Sequence, residues 1–372
     1  MSWNTSLSSA LWLILTVATS QSWAAEALHR REFFFVGGEY VNTTAGTVRQ
    51  NQMYVEKLSP ATATTQPHPL ILVHGGGQDG TNWLNKPDGG TGWASWFLNN
   101  GYEVYIVDEP ARGRSAWNAL GGFPTSTFSV ETISSRFTAA RNSSVWPQAE
   151  LHTQWPGSGL PGDPIFDTYY ASVVQGTANG TEHERAMRAA GTALLDRVGP
   201  AVVVTHSQGG PYGWSLADAR PSLVRALVQI EPKGPPFREA VFSSDYTRPW
   251  GLTSIPLAYD PPAANGTEAP LEMMAVNSTS ANLTDCILQA EPARQLPNLK
   301  SVPVLVDTGE ASYHAPYDHC TVSFLRQAGV QVEHLELGQA GIHGNGHMQF
   351  LEMNSDDIVA KLHAWIVKTV AS

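Results

Sequence analysis

Short runs of Val, Ile and Leu, each closed by turn-forming residues, set the rhythm of this chain. The stretches 70–73, 102–107, 201–204, 226–230 and 303–306 are of this kind, and 330–335 adds a last one. A strand covered on both faces of a sheet reads this way, because neither set of alternating side chains meets water. Segments 31–36 and 53–58 flank a Gly- and Thr-rich turn and predict an opening antiparallel pair. Residues 93–100 have helical character and stop at Gly101, a natural C-cap, and 355–370 predicts an amphipathic closing helix. Strands that alternate with helices predict an α/β fold with a mainly parallel sheet and helices on both faces. Two stretches break the rhythm, about 112–190 and about 233–300. Both follow strand ends on the side where such sheets bind ligands. They are read as insertions that build a cap on one domain spanning 25–372, since structureless loops of this length usually have a function.

The N-terminus changes the picture. Residues 10–18 are apolar, and Ser22-Trp23-Ala24 follows with small residues at its first and third places. Residues 1–24 are therefore expected to be a signal peptide, its apolar run being shorter than the ~20 residues that span a bilayer. Beyond residue 24 the chain carries six sequons, at Asn42, Asn142, Asn179, Asn265, Asn277 and Asn282, which agree with a secreted, glycosylated protein. The two cysteines, Cys286 and Cys320, are expected to form one disulfide, joining the segment before the last strands to the loop after Asp307. The formal charge of −11 opposes nucleic acid and anionic membranes as partners. The oligomeric state stays open, a homodimer being one option.

Candidate chemistry centres on Ala201-Val-Val-Val-Thr-His-Ser-Gln-Gly-Gly210. A buried strand runs into a tight turn and then a helix, which is how a nucleophile elbow lifts a serine hydroxyl clear of a sheet. Ser207 is the candidate nucleophile, although Thr205 stands where the G-x-S-x-G pattern has glycine. His74-Gly75-Gly76-Gly77-Gln78 follows the first buried parallel strand. Its glycines allow close backbone approach, so the N–H groups of Gly76 and Gln208 are the candidate oxyanion donors. Gly75 to Gly80 also fits G-x-G-x-x-G, but the residues that follow have poor helix character and a proline, against a dinucleotide site.

A base has to reach Ser207 from a late loop, and His343 and His347 both lie there. His347 is preferred because it lies nearer the closing helix. The Gly-Asn-Gly between the two argues against a zinc-binding helix, so no metal is expected. Two strand-end carboxylates, Glu231 and Asp307, compete as the acid that orients the base. Asp108, at another strand end, is read as structural. Trp83, Tyr212 and Trp250 are candidate pocket aromatics, each equally well read as core.

Several motifs occur in order: Val73-His74-Gly75-Gly76, Arg112-Gly113-Arg114-Ser115, His206-Ser207-Gln208-Gly209, Ile230-Glu231-Pro232, Pro249-Trp250-Gly251-Leu252 and Gly344-Asn345-Gly346-His347-Met348. As a set they resemble the bacterial esterase 713-like group of α/β-hydrolases and its secreted fungal relatives. The resemblance implies cofactor-free hydrolysis of a carboxylic ester, with Ser207 as nucleophile, Glu231 as acid, His347 as base and Gly76 and Gln208 at the oxyanion. It favours Glu231 over Asp307. The bacterial esterase carries adjacent cysteines where this chain has Gly76-Gly77, so no role of those cysteines transfers. Apolar cap loops point to a medium or bulky hydrophobic ester. Lactonase or other chemistry, or a non-catalytic binding protein, would use the same fold.

Overall fold

Val203 and Val204 are neighbours on one strand, yet they belong to two different cores. That alternation is the organising fact of the computed structural model, which describes residues 25–120, 124–263 and 270–371. The expected signal peptide and the Asn265 sequon lie outside the described residues.

The central sheet has eight strands. They are β1 (His29–Thr43), β2 (Gly46–Pro60), β3 (Leu70–Val73), β4 (Val104–Asp108), β5 (Ala201–His206), β6 (Val224–Ile230), β7 (Val304–Thr308) and β8 (Val332–Glu336). Their spatial order is β1-β2-β4-β3-β5-β6-β7-β8. β2 runs antiparallel to both neighbours, and all other pairs are parallel. This is the mainly parallel α/β sheet that the apolar runs predict, with an opening hairpin longer than its apolar segments suggest.

Helices α1 (Trp93–Asn99), α2 (Gly180–Val198), α3 (Gly209–Ala219), α4 (Asp318–Gln327) and α5 (Ser355–Val370) sandwich the sheet. Trp93, Phe97, Ile358 and Leu362 of α1 and α5 pack with Leu70, Leu72, Val202 and Val204 on one face. Met187, Leu194, Leu216 and Phe324 of α2, α3 and α4 pack with Ile71, Val73 and Val203 on the other. α1 ends as its sequence dictates: Gly101 takes φ 80° and its N–H returns to Leu98 O at 3.0 Å. Asn179 caps α2, its Oδ1 accepting from the Glu182 N–H at 3.2 Å.

The two insertions carry only small elements. Between β4 and α2 lie a pair of two-residue strands, a short helix Val130–Ile133 that runs into a π-helical turn Ser134–Thr138, and a helix Pro164–Ala171. α2 already begins at Gly180, within the stretch 112–190 read as insertion, and packs on β1. Between β6 and β7 lie two small antiparallel pairs, the second formed by Met273–Val276 and Cys286–Gln289.

Cys286 and Cys320 form a disulfide. Cys320 sits inside α4, and not in the loop after Asp307 that the sequence suggested, because the helix starts at Asp318. The bridge thus clips the second insertion to a sheet-covering helix across 34 residues of sequence. Closing a loop of that length removes unfolded-state entropy, so replacing both cysteines by serine is expected to cost about 3–4 kcal/mol. A denaturant melt of the double variant against the parent measures it.

Candidate active site

β5 ends at His206 and α3 begins at Gly209, so the chain reverses within two residues. Ser207 takes φ 53°, the left-handed region that a non-glycine residue enters only where its surroundings force it. The forcing is visible. Ser207 N–H donates to Ile230 O at 3.0 Å, and Ser207 O accepts from the N–H groups of Gly210 at 2.9 Å and Lys233 at 2.8 Å. Space is just as tight, since a Cβ at Gly210 would lie 2.5 Å from Pro232 Cβ, and one at Gly213 2.4 Å from Gln229 Nε2. Thr205 has a use here that glycine would lack. Its hydroxyl bonds Gln229 Oε1, and the Gln229 amide donates to Gly210 O at 3.1 Å, tying β6 to the first turn of α3.

Glu231 is the next strand-end residue, also left-handed, at φ 46°. Its N–H donates to Asp307 O at 2.9 Å, which turns its side chain out of the β6–β7 seam. Oε1 accepts from the Gly309 N–H at 2.7 Å, and Oε2 accepts from the Ser312 hydroxyl at 2.7 Å and from His347 Nδ1. Burial and the nearby Asp318 carboxylate push the Glu231 carboxyl up, while the Ser312 hydroxyl and Gly309 amide pull against them. Burial drives the His347 imidazole well below its ordinary value, helped by the neighbouring rings of His206 and His314. His206 Nε2 anchors the His347 carbonyl at 3.0 Å, and the His314 ring stacks on His347 at 4.9 Å. His347 Nε2 meets the Tyr313 hydroxyl at 3.1 Å. Glu231, His347 and Tyr313 therefore belong to one hydrogen-bonded set, and Tyr313 shares the lining of one cavity with Ser207.

The other two candidates lie elsewhere. Asp307 is buried within β7, its carboxyl pushed up to about 8 by burial, and it is Glu231 that holds the His347 ring. His343 is on the surface, its ring 3.0 Å from Glu310. Asp108 holds its turn together, accepting from the Gly80 N–H at 2.8 Å and from the Arg114 guanidinium at 2.8 and 2.9 Å.

The glycine turn after β3 closes over Ser207. A Cβ at Gly75 would lie 3.0 Å from Ser207 Cβ, and one at Gly77, where φ is 73°, would lie 2.5 Å from Phe128. Gly75 O accepts from two donors: Arg112 Nη1 at 3.1 Å and His74 Nδ1 at 2.9 Å. The His74 tautomer follows, because Nε2 accepts the Glu109 N–H at 3.1 Å and Nδ1 faces a carbonyl. Its pKa, lowered by burial and then by Arg112 to about 3, agrees with that neutral ring. Arg112 Nη2 reaches Gln208 Oε1 at 3.1 Å, and Nη1 pairs with Glu109 at 3.0 Å. One buried guanidinium thus grips both chain segments that carry the candidate oxyanion donors.

Ser207, Gly76 and Gln208 open into a cavity of about 400 Å³ walled by Phe128, Phe137, Phe242, Tyr313 and Tyr317, with Arg136, Lys233 and Glu239 among its other lining residues. Trp83, Tyr212 and Trp250 are buried in the two cores and do not line it. The wall residues come from the insertions and from the loop after β7. None carries a motif, so the sequence reading passed over them. The only signal is their aromatic character within stretches already marked as cap.

No protein-family model matches the chain. A probable secreted lipase, phiG, from Fungal sp. (strain ATCC 74256), is 47% identical over 339 residues, covering 90% of this chain and 89% of that one. The solved structure of a bacterial esterase aligns with a TM-score of 0.62 at 22% identity, over 93% of this chain and 98% of that chain. A looser likeness, to the peroxisomal α/β-hydrolase of Saccharomyces cerevisiae, has a TM-score of 0.46 at 14% identity, over 92% of this chain and 90% of that chain. The fold is that of the α/β-hydrolases, and the chain belongs to the family of the fungal lipase.

The crowding at the elbow gives a test of its geometry. Gly210→Ala drives a methyl into the Pro232 backbone and is expected to destabilise by roughly 1–3 kcal/mol, read as a lowered denaturation midpoint.

Proposed function

We propose that this protein is a secreted serine hydrolase of carboxylic esters that works through an acyl-enzyme. The observation that carries the reading is the Glu231–His347–Tyr313 hydrogen-bonded set beside an aromatic cavity into which Ser207 opens from its strained turn. Its relationship to a fungal protein named as a probable secreted lipase supports the ester.

Ser207 Oγ attacks the ester carbonyl, and His347 takes its proton. Glu231 fixes the tautomer by accepting from Nδ1, which leaves Nε2 free to receive the proton, and it stabilises the imidazolium that results. The alcohol leaves with that proton, and a water deprotonated by His347 then releases the acid and regenerates Ser207. Negative charge on the tetrahedral oxygen is met by the Gly76 and Gln208 N–H groups, each donor being worth roughly 100- to 1000-fold in rate. Arg112 has a part in this. Gly75 O and the Gly76 N–H belong to one planar peptide and point in opposite directions. A cation and a neutral imidazole holding the oxygen therefore aim the N–H and strengthen its dipole.

Export is supported by the relative's description and by surface placement of the sequons. Asn42, Asn142, Asn179, Asn277 and Asn282 are all exposed, and the disulfide suits an oxidising compartment. No helix among the described residues is long and apolar enough to cross a membrane. The five aromatic walls suit a medium or bulky apolar acyl or alcohol group.

A series of p-nitrophenyl esters of increasing acyl length tests the assignment. Ser207→Ala and Glu231→Gln are expected to lose at least ~1000-fold in kcat/KM, whereas Asp307→Asn retains catalysis. Full activity in Ser207→Ala, or a dead Asp307→Asn beside an active Glu231→Gln, would overturn it. The pH profile is a second test. A general base works when unprotonated, and the His347 pKa is pushed down, so the base stays competent as pH falls through 6.5. The acid limb of kcat/KM is expected below pH 6.5, and a limb above that value would contradict the assigned environment.

A further inference from the structure

The cavity over Ser207 is not purely apolar, and its charges do not cancel. Its lining includes Arg136, Lys233 and Glu239, in a protein whose formal net charge is −11. Glu239 is already satisfied from behind: it accepts from Arg248 Nη1 at 2.8 Å and from the Thr247 hydroxyl at 3.0 Å, with Lys233 Nζ 3.4 Å away. Arg136 has nothing comparable. Among the described residues its guanidinium makes no hydrogen bond or ion pair, and it lies over the Phe242 ring, its carbon 3.8 Å from the ring centre.

A guanidinium lying on a ring keeps its N–H donors in a plane that the ring does not occupy, so the fork remains open at its edge. The ring also fixes the group in place, which lowers the entropy lost when it closes on a partner. The backbone is unusual at the same point. Arg136 lies in the π-helical turn Ser134–Thr138, a geometry that recurs at functional sites. The same turn sends Phe137 against the His347 ring at 5.2 Å. Arg136 is thus held beside the reacting centre with an unused bidentate donor facing the cavity.

We propose that Arg136, assisted by Lys233, is a carboxylate-binding subsite, and that the substrate is an ester that also carries a free carboxylate. This rests on the ester-hydrolase reading and narrows it. A monoanion fits better than a phosphate dianion, because Glu239 keeps a negative charge on the same wall. The aromatic walls take the apolar part of the substrate, and the guanidinium fork takes the carboxylate in a pair of parallel N–H···O bonds.

The test compares matched esters with and without a carboxylate on each side of the ester bond. Mono-4-nitrophenyl adipate against 4-nitrophenyl heptanoate probes the acyl side, and 3-carboxyphenyl butyrate against phenyl butyrate probes the alcohol side. The readout is the ratio of kcat/KM, anionic to neutral, within each protein. In at least one pair the wild type is expected to prefer the anionic ester, and Arg136→Gln to lower the ratio by about tenfold or more. Arg136→Lys keeps the charge without the fork and is expected to fall between. A ratio that is the same in all three proteins for both pairs overturns the proposal. If the wild type turns over no ester, the hydrolase reading fails on its own, and calorimetric titration with adipate still decides the subsite. Binding to wild type that is lost in Arg136→Gln supports it, and equal or absent binding to wild type overturns it. Should Arg136→Gln not fold, the wild-type ratio is followed with ionic strength. A fall with added salt supports an ionic contact, and a flat ratio overturns it.

Discussion

The hydrogen-bond ladder of the sheet does not stop where the strands do; it runs on through Ser207 and Glu231. Ser207 N–H takes the last rung to β6 at Ile230 O, and Glu231 N–H takes the next to β7 at Asp307 O. Each rung pins a backbone that has just turned left-handed, at φ 53° and φ 46°. A side chain leaving the sheet in that conformation has little freedom left, so Ser207 and Glu231 are placed by backbone geometry before any side-chain contact forms. His347 arrives from a loop and is fitted between fixed points: Glu231 at Nδ1, Tyr313 at Nε2, and His206 on its carbonyl. That division, with two residues set by the sheet and one held by its neighbours, accounts for the density of buried polar contacts around the imidazole.

Behind the glycine turn a second buried polar cluster does related work. Arg112 brings its charge into the interior, where Glu109 pairs with it at 3.0 Å and His183 Nε2 lies 3.5 Å from the same carboxylate. Burial pushes the Glu109 carboxyl up to about 8, with Arg112 opposing that shift. The cost of burying this group is offset by what Arg112 holds on its far side, the Gly75 carbonyl and the Gln208 side chain. A surface loop with the same glycines would move; this one is fastened from inside the molecule.

The sheet was legible because its inner strands, β3 to β7, are almost wholly buried on both faces, and Ser207 was legible because a buried strand, a small turn and a helix follow one another around it. The choice between Glu231 and Asp307 was not. Both carboxylates stand at strand ends, and what separates them is one residue of strand length: β7 continues through Asp307 to Thr308, whereas β6 stops before Glu231. Apolar runs mark the middle of a strand and say nothing of the φ at its end, so the resemblance to known esterases had to arbitrate. Thr205 departed from the expected glycine for a reason lying on another strand, at Gln229. Ser312, Tyr313 and Arg136 were invisible for a similar reason. Ser312 and Tyr313 come from a loop and Arg136 from a short π-helical turn, segments without a readable periodicity, and their partners are distant in sequence.

Asn179 shows how two kinds of chemistry divide one side chain. Its Oδ1 caps α2, and its other end, Nδ2, is the atom to which an N-linked sugar attaches. The amide that joins a sugar keeps its carbonyl oxygen, so a glycan and the cap are compatible at this residue. The usual way of erasing a sequon, exchange of Asn for Gln, would lengthen the side chain and draw the oxygen away from the Glu182 N–H. Any instability in such a variant would then report a lost helix start as much as a lost carbohydrate. Exchange of the third sequon residue, Thr181, removes the acceptor while leaving the capping atom in place.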